Sequence, residues 1–248
     1  IRVRPFTPRE IKLRTDLCVS MSGNSCTLRS EDGKERSFAF DHCFWSHDGF
    51  REEKDGKFVS TSDKYADQNA VFDKVGKEIL ENAWAGYHCC LFAYGQTGSG
   101  KSYSIIGYGS NQGIVPRTAE EIFKRINQTK SPNKIYEVTT SMMEIYNEKI
   151  HDLLVAGSYQ KEGGLKVREN KTLGVYVEDL SKWPVQSFAD ISSKIEEGNR
   201  NRTIASTALN STSSRAHTII TIELRQVDKT TDKAVSRHSV IYLVDLAG

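Results

Sequence analysis

What this 248-residue sequence lacks narrows its class before any motif is read. No stretch approaches about 18 consecutive apolar residues, so no membrane-crossing helix and no membrane contact are predicted. The first residues, Ile1-Arg2-Val3-Arg4-Pro5-Phe6, lack the layout of an export signal, and a cytoplasmic location is expected. A charge excess is also missing: 34 Lys and Arg against 32 Asp and Glu leave +2, too little to argue for nucleic acid as a main partner. A local basic patch could still meet an acidic surface. The five cysteines, Cys18, Cys26, Cys43, Cys89 and Cys90, are odd in number and without zinc spacing, and read as reduced, structural thiols. With 38% hydrophobic and 27% charged residues the composition is that of ordinary globular material, expected as one large domain.

What is present is a phosphate loop. Gly95-Gln96-Thr97-Gly98-Ser99-Gly100-Lys101-Ser102 fits G-x-x-x-x-G-K-[ST] at every fixed position. The apolar run before it, Cys89-Cys90-Leu91-Phe92-Ala93-Tyr94, reads as a buried parallel strand, and helix-compatible residues follow Lys101. In that order the glycines let successive N–H groups converge on phosphate oxygens. Lys101 is expected to bridge the outer phosphates and Ser102 to offer its hydroxyl to magnesium. A glycine-rich turn is the bland alternative, and the flanking elements weigh against it.

Along the chain, residues 1–6 read as a strand stopped by Pro5, and residues 16–40 as a hairpin lobe with turns at Gly23-Asn24 and Asp32-Gly33. Residues 46–63 read as a polar surface loop. A core-packing helix is expected over 69–84 with Gly86 as its stop, and a second over 115–128 after an insertion at 107–113. A long strand is predicted over 134–146 and a hairpin around residues 169–172. Ser187 with Asp190 makes a capping box for a helix through Glu197, which Gly198 is expected to end. Residues 199–217, dense in Asn, Thr and Ser, read as a ligand-binding loop. Strands over 218–227 and 239–244 complete the pattern. The fold class is α/β: a mixed, mostly parallel central sheet with the nucleotide at the carboxyl ends of its strands.

Three stretches taken with the phosphate loop make the chain resemble a kinesin motor domain. Asn210-Ser211-Thr212-Ser213-Ser214-Arg215-Ala216-His217 resembles switch I, N-x-x-S-S-R-S-H, with Ala216 replacing the last serine. Asp245-Leu246-Ala247-Gly248 resembles the opening of switch II, and Arg2-Val3-Arg4-Pro5 the adenine-side R-x-R-P. Glu144-Ile145-Tyr146-Asn147-Glu148-Lys149-Ile150 and Tyr176-Val177-Glu178-Asp179-Leu180 extend the likeness over nearly the whole chain. Phe44-Trp45-Ser46-His47 and Gly100-Lys101-Ser102-Tyr103 resemble the kinesin-three class of vesicle transporters.

The resemblance implies an eight-stranded P-loop NTPase sheet with helices on both faces. It also implies an ATP-hydrolysing microtubule motor at the cytoskeleton, with ATP or ADP and Mg2+ at its site. Ser214 would complete magnesium coordination with Ser102 and, through water, Asp245. Asn210 and Ser213 would lie near the phosphate and attacking water, Gly248 would sense the γ-phosphate, and Arg215 would pair with a glutamate just past the D-L-A-G. Arg2, Arg4, Pro5 and Tyr103 would hold the base. His217 reads as orienting its neighbours rather than as a general base. Lys166, Arg168 and Lys171 lie in or beside a hairpin that the family uses against tubulin, although a solvated charged turn reads equally well. Residues 1–248 are expected to be the N-terminal part of the motor domain, with the second helical layer and neck linker beyond them and cargo contacts elsewhere. A non-hydrolysing scaffold is the alternative, against which Lys101, Ser102, Ser214 and Asp245 stand intact. A guanine switch is disfavoured, since Asn133-Lys134-Ile135-Tyr136 and Asn170-Lys171-Thr172-Leu173 both lack the acid of N-K-x-D.

Overall fold

Turn chemistry governs the first unit. In the computed structural model, which describes residues 1–157, 163–171, 174–208, 215–230 and 234–248, the chain divides into two units. They are residues 1–75 with 108–112, and residues 76–107 with 113–248. In the first, β1 (Arg2–Val3) is shorter than expected and is followed by α1 (Pro8–Lys12), where Thr7 and Glu10 form a capping box. Strands β2 (Val19–Ser22), β3 (Ser25–Arg29) and β4 (Glu35–Ala39) form an antiparallel meander that turns where Gly23 and Gly33 allow it. β5 (Phe44–Trp45) pairs in parallel with β1.

Residues 46–63 are not simply a loop. β6 (Phe50–Glu52) and β7 (Phe58–Ser60) make a hairpin there, because Phe50 packs on Phe58 and Tyr65 at ring-centroid distances of 5.1 and 5.0 Å. Two aromatic contacts outweighed the polar composition that had suggested a loop.

The helix expected over 69–84 forms as α2 (Gln68–Val71), a π-helical stretch (Phe72–Gly76) and α3 (Lys77–Ala85). Gly86 ends it with φ 102°, the left-handed conformation a C-terminal stop needs. In the second unit, β8 (Cys89–Ala93) leads through the phosphate loop into α4 (Lys101–Ile105). The expected insertion follows, with the two-residue strands β9 (Gly107–Tyr108) and β10 (Asn111–Gln112), before α5 (Ile114–Thr129) resumes the helical pattern. Then come β11 (Lys134–Tyr146), β12 (Lys149–Asp152), the hairpin of β13 (Val167–Asn170) and β14 (Gly174–Val177), and β15 (Trp183–Val185). The long elements α6 (Phe188–Ala208), β16 (His217–Asp228) and β17 (Val235–Asp245) complete it.

The central sheet runs β12-β11-β16-β17-β8, with β15 also paired to β11. It is mixed, as expected, but among the described residues its ladders are mostly antiparallel rather than mostly parallel, and it has six strands rather than eight. Within this sheet, only β17 and β8 pair in parallel among the described residues. Adjacent, long strands such as β16 and β17 are joined by a short connection, which permits only the antiparallel sense.

One sheet face carries the core. Ile220, Ile222, Leu224, Ile241 and Leu243 are at most 1% exposed; α3 and α4 pack on β8 and β17, α6 packs on β11, and α5 packs on these helices. Their neighbours on the other face are not covered among the described residues: Phe92 is 61% and Tyr242 38% exposed. Continuous apolarity in β8 therefore does not mean burial on both faces here.

Gly198 does not end α6, which continues to Ala208. A Cβ at Gly198 would meet the Sδ of Met142 at 2.3 Å, and Met142 is only 2% exposed. The glycine marks a close approach of α6 to β11, not a helix stop. Half of the stretch read as a loop, Asn199 to Ala208, is consequently helical. Gly198→Ala is expected to destabilise the fold by about 1–3 kcal/mol through overpacking. A urea melt checks this, and an unchanged midpoint would mean that Met142 yields freely.

Candidate functional site

The parallel pairing of β17 with β8 builds the site. Its register ends with Asp245 opposite Ala93, so the acid at the end of one strand stands beside the start of the phosphate loop at the end of the other. The loop then curls through glycine conformations: Gly95 has φ 153° and a Cβ there would meet the Ser99 Oγ at 2.6 Å, while Gly100 enters α4 at φ 97°. A bend closed by the Ser99 N–H donating to the Gln96 carbonyl at 3.1 Å shapes the middle. Lys101 folds back along this loop, its Nζ donating to the carbonyls of Gly95 at 2.7 Å and Gln96 at 3.1 Å.

Ser102 donates its hydroxyl to the Asp245 Oδ2 at 2.5 Å, across 143 residues of sequence. Asp245 is 7% exposed, and its other oxygen, Oδ1, is buried with no hydrogen-bond partner among the described residues. A carboxylate oxygen left this way carries the full cost of desolvation unless a cation or its water completes it. A hydroxyl and a carboxylate in contact beside a phosphate loop are the donor set that Mg2+ takes from protein when phosphates and water supply its remaining ligands. Ser102 and Asp245 therefore fit the ion.

Gly248 also reaches the loop: a Cβ there would meet the Thr97 N at 2.3 Å. The residues between are tied on both sides. Leu246 N–H donates to the Ala93 carbonyl at 3.3 Å and Ala247 N–H to the His217 Nδ1 at 3.0 Å.

Asn210, Ser213 and Ser214 lie outside the described residues. Arg215 is exposed, and Tyr103 is half-buried on α4. Arg2, Arg4 and Pro5 belong to the first unit. There the Arg2 guanidinium donates to the Ser46 Oγ at 2.9 Å and the Gln68 Oε1 at 2.7 Å. Arg4 grips both oxygens of Glu10 at 2.7 and 2.9 Å and donates to the Pro5 carbonyl. Both heads are engaged in fixing their own segment. Arg168 pairs with Glu178 at 2.9 Å across its hairpin, which leaves less free charge there than the sequence suggested.

Sequence reasoning missed two positioning residues in α6. Arg202 donates to the Thr218 Oγ1 at 2.8 Å and Asn201 to the Leu153 carbonyl at 2.7 Å, so the end of this helix is fastened to β16 and to the segment after β12. Polarity hid them, since both were counted toward a loop. The five cysteines are free thiols, as expected.

With this geometry in place, comparison with known proteins gives one answer. The family model described as "Kinesin motor domain" matches residues 2–248. Kinesin-related protein 1 of Dictyostelium discoideum is 46% identical over 265 residues, a match covering all of this chain and 12% of that protein. Human kinesin-like protein KIF13A is 44% identical over 259 residues, covering all of this chain and 14% of the relative. Among solved structures, a KIF14 dimer in its two-heads-bound state with AMP-PNP, in complex with a microtubule, superposes with TM-score 0.86 at 38% identity. It covers all of this chain and 66% of its own; a KIF14 complex with ADP and a microtubule gives 0.82 at 37%, with 67% of its own chain covered. This chain thus spans about an eighth to a quarter of the curated relatives' length.

The Arg4–Glu10 pair yields a pH prediction. The hydrogen bonds from Arg4, and then from the Thr7 N–H and hydroxyl, pull the Glu10 carboxyl from 4.5 down to about 2. A depressed carboxyl contributes stability above its ordinary value and loses it as pH falls through the folded one. The α1 corner should therefore loosen only between about pH 4.5 and 2. Following the Glu10 side-chain carbon by NMR should place its midpoint near 2 and, in Arg4→Ala, well above it; a wild-type midpoint near 4.5 would mean the pair does not form in solution.

Proposed function

Since the chain belongs to the kinesin motor domain family, we propose that it is the nucleotide-handling part of an ATP-driven microtubule motor. The observation that carries the reading is the Ser102–Asp245 contact beside the phosphate loop, with the Asp245 Oδ1 buried and without a partner among the described residues. Relatives solved with AMP-PNP and ADP on microtubules support the substrate, the partner and a place on the cytoskeleton. Similarity to KIF13A and KIF1B supports the kinesin-three class of vesicle transporters.

In this reading the loop amides hold the β- and γ-phosphates, and Lys101 exchanges the carbonyls of Gly95 and Gln96 for phosphate oxygens. Ser102, Ser214 and, through water, Asp245 would hold a magnesium ion, which would screen the triphosphate charge. Asn210 and Ser213 orient the attacking water. Arg215 takes the switch-to-switch ion pair. Gly248, already against Thr97, reports the γ-phosphate by the movement of its own backbone. The base contacts in this reading are Arg2, Arg4, Pro5 and Tyr103, with Arg2 and Arg4 fixing the segment that carries Pro5.

The intact Lys101, Ser102 and Asp245 disfavour a scaffold that binds without hydrolysing. Turnover measured in the motor that carries this chain, with and without microtubules, separates the two: a motor is stimulated and a scaffold is not. Lys101→Ala should weaken ATP about 10- to 150-fold, the worth of one or two hydrogen bonds to a charged group, with the fold retained. Isothermal titration against circular dichroism checks it, and an unchanged affinity would remove Lys101 from the site.

A further inference from the structure

Asp245 is the last residue of β17 in the antiparallel ladder, opposite Thr218 of β16. Continued by the same register, Ala247 would face Ala216 and exchange backbone bonds with it. It does not. The Ala247 N–H instead donates to a side chain, the His217 Nδ1, at 3.0 Å. On the other edge Leu246 N–H still reaches the backbone of Ala93. The D-L-A-G segment is therefore suspended between the strand that feeds the phosphate loop and one imidazole.

That imidazole sits at the foot of the switch I sequence. His217 is the first residue of β16, opposite Ile145 of β11, and its neighbour Thr218 is 2% exposed and fastened by Arg202. The long ladder with β11 anchors the His217 backbone, and in sequence it closes the stretch that resembles switch I. The bond also has a required form: a backbone N–H can only donate, so Nδ1 must be the unprotonated nitrogen, with the proton on Nε2.

We propose that His217 is a positioning residue for nucleotide turnover: by accepting the Ala247 N–H it holds Gly248 against the phosphate loop and links the exit of switch I to switch II. The proposal rests on the nucleotide reading above. His217 touches no reacting atom in it. What it contributes is the placement of a backbone that must sense the γ-phosphate, and misplacement by a fraction of an ångström is enough to slow a step that depends on orientation.

Three substitutions in the motor carrying this chain test it. His217→Asn sets an amide oxygen where Nδ1 lies and can still accept; His217→Gln moves the oxygen one bond farther; His217→Leu keeps bulk and removes the acceptor. Two readouts are taken. In the absence of nucleotide, hydrogen exchange at the Ala247 amide should be protected in wild type and His217→Asn and lost in His217→Leu and His217→Gln. In single turnovers, His217→Leu and His217→Gln should slow hydrolysis about tenfold while ADP affinity stays within about twofold, and His217→Asn should recover most of the rate. A His217→Leu variant as fast as wild type, or a His217→Asn variant as slow as His217→Leu, overturns the proposal. Wild type that protects Ala247 but shows no turnover would instead overturn the nucleotide reading, and the role for His217 with it.

Discussion

Everything at the site depends on one parallel pairing. β17 and β8 run side by side from Ile241 opposite Cys89 to Asp245 opposite Ala93, so two segments about 150 positions apart end at the same level. An antiparallel partner would have sent its carboxylate to the opposite end of the sheet. The pairing is fixed by apolar burial on the helix-covered face, where Ile241 and Leu243 are fully buried, and a slip by one residue would turn both to the open side. Core packing and the placing of Asp245 beside the phosphate loop are thus the same constraint, read at two points of one strand.

Much of this was legible in the sequence because local rules and the tertiary outcome agree. The phosphate loop, the β-branched run of β11, the Gly86 stop and the meander turns each follow from spacing or turn chemistry that holds wherever the segment sits. The failures share a different cause: each was decided by a contact remote in sequence. Gly198 was taken as a stop, since glycine usually ends a helix, yet Met142 from β11 required the missing side chain. Asn201 and Arg202 were counted as loop polarity, though their partners, Leu153 and Thr218, lie on other elements. The hairpin at residues 50–60 is masked in the sequence by charges around Phe50, which packs on both Phe58 and Tyr65. The strand sense of the sheet was misjudged for the same reason, because apolarity records burial and not direction.

The open face of the sheet sets the second constraint. Cys90, Phe92 and Tyr242 lie on the side away from α3 and α4, and Phe92 and Tyr242 expose 61% and 38% of their surface. Apolar rings stay in water only at a cost of about 25 cal/mol per Å2, so the chain is stabilised by whatever covers them. The helix side already holds the phosphate loop, α4 and the buried oxygen of Asp245. A cover on the open side would bear on the same β17, from the face opposite the nucleotide.

That geometry gives the sheet a mechanical role that follows from its bonding. β16 and β17 share an unbroken ladder from Asp228 opposite Val235 to Thr218 opposite Asp245, too stiff to bend locally. Past that point the ladder stops. Beyond it the Ala247 N–H donates to the His217 side chain at the start of β16, and the Leu246 N–H donates to the Ala93 carbonyl on β8. A change at the phosphate loop therefore meets a stiff ladder in β16 and β17 and bears first on the residues beyond Asp245, which one imidazole ties to the start of β16.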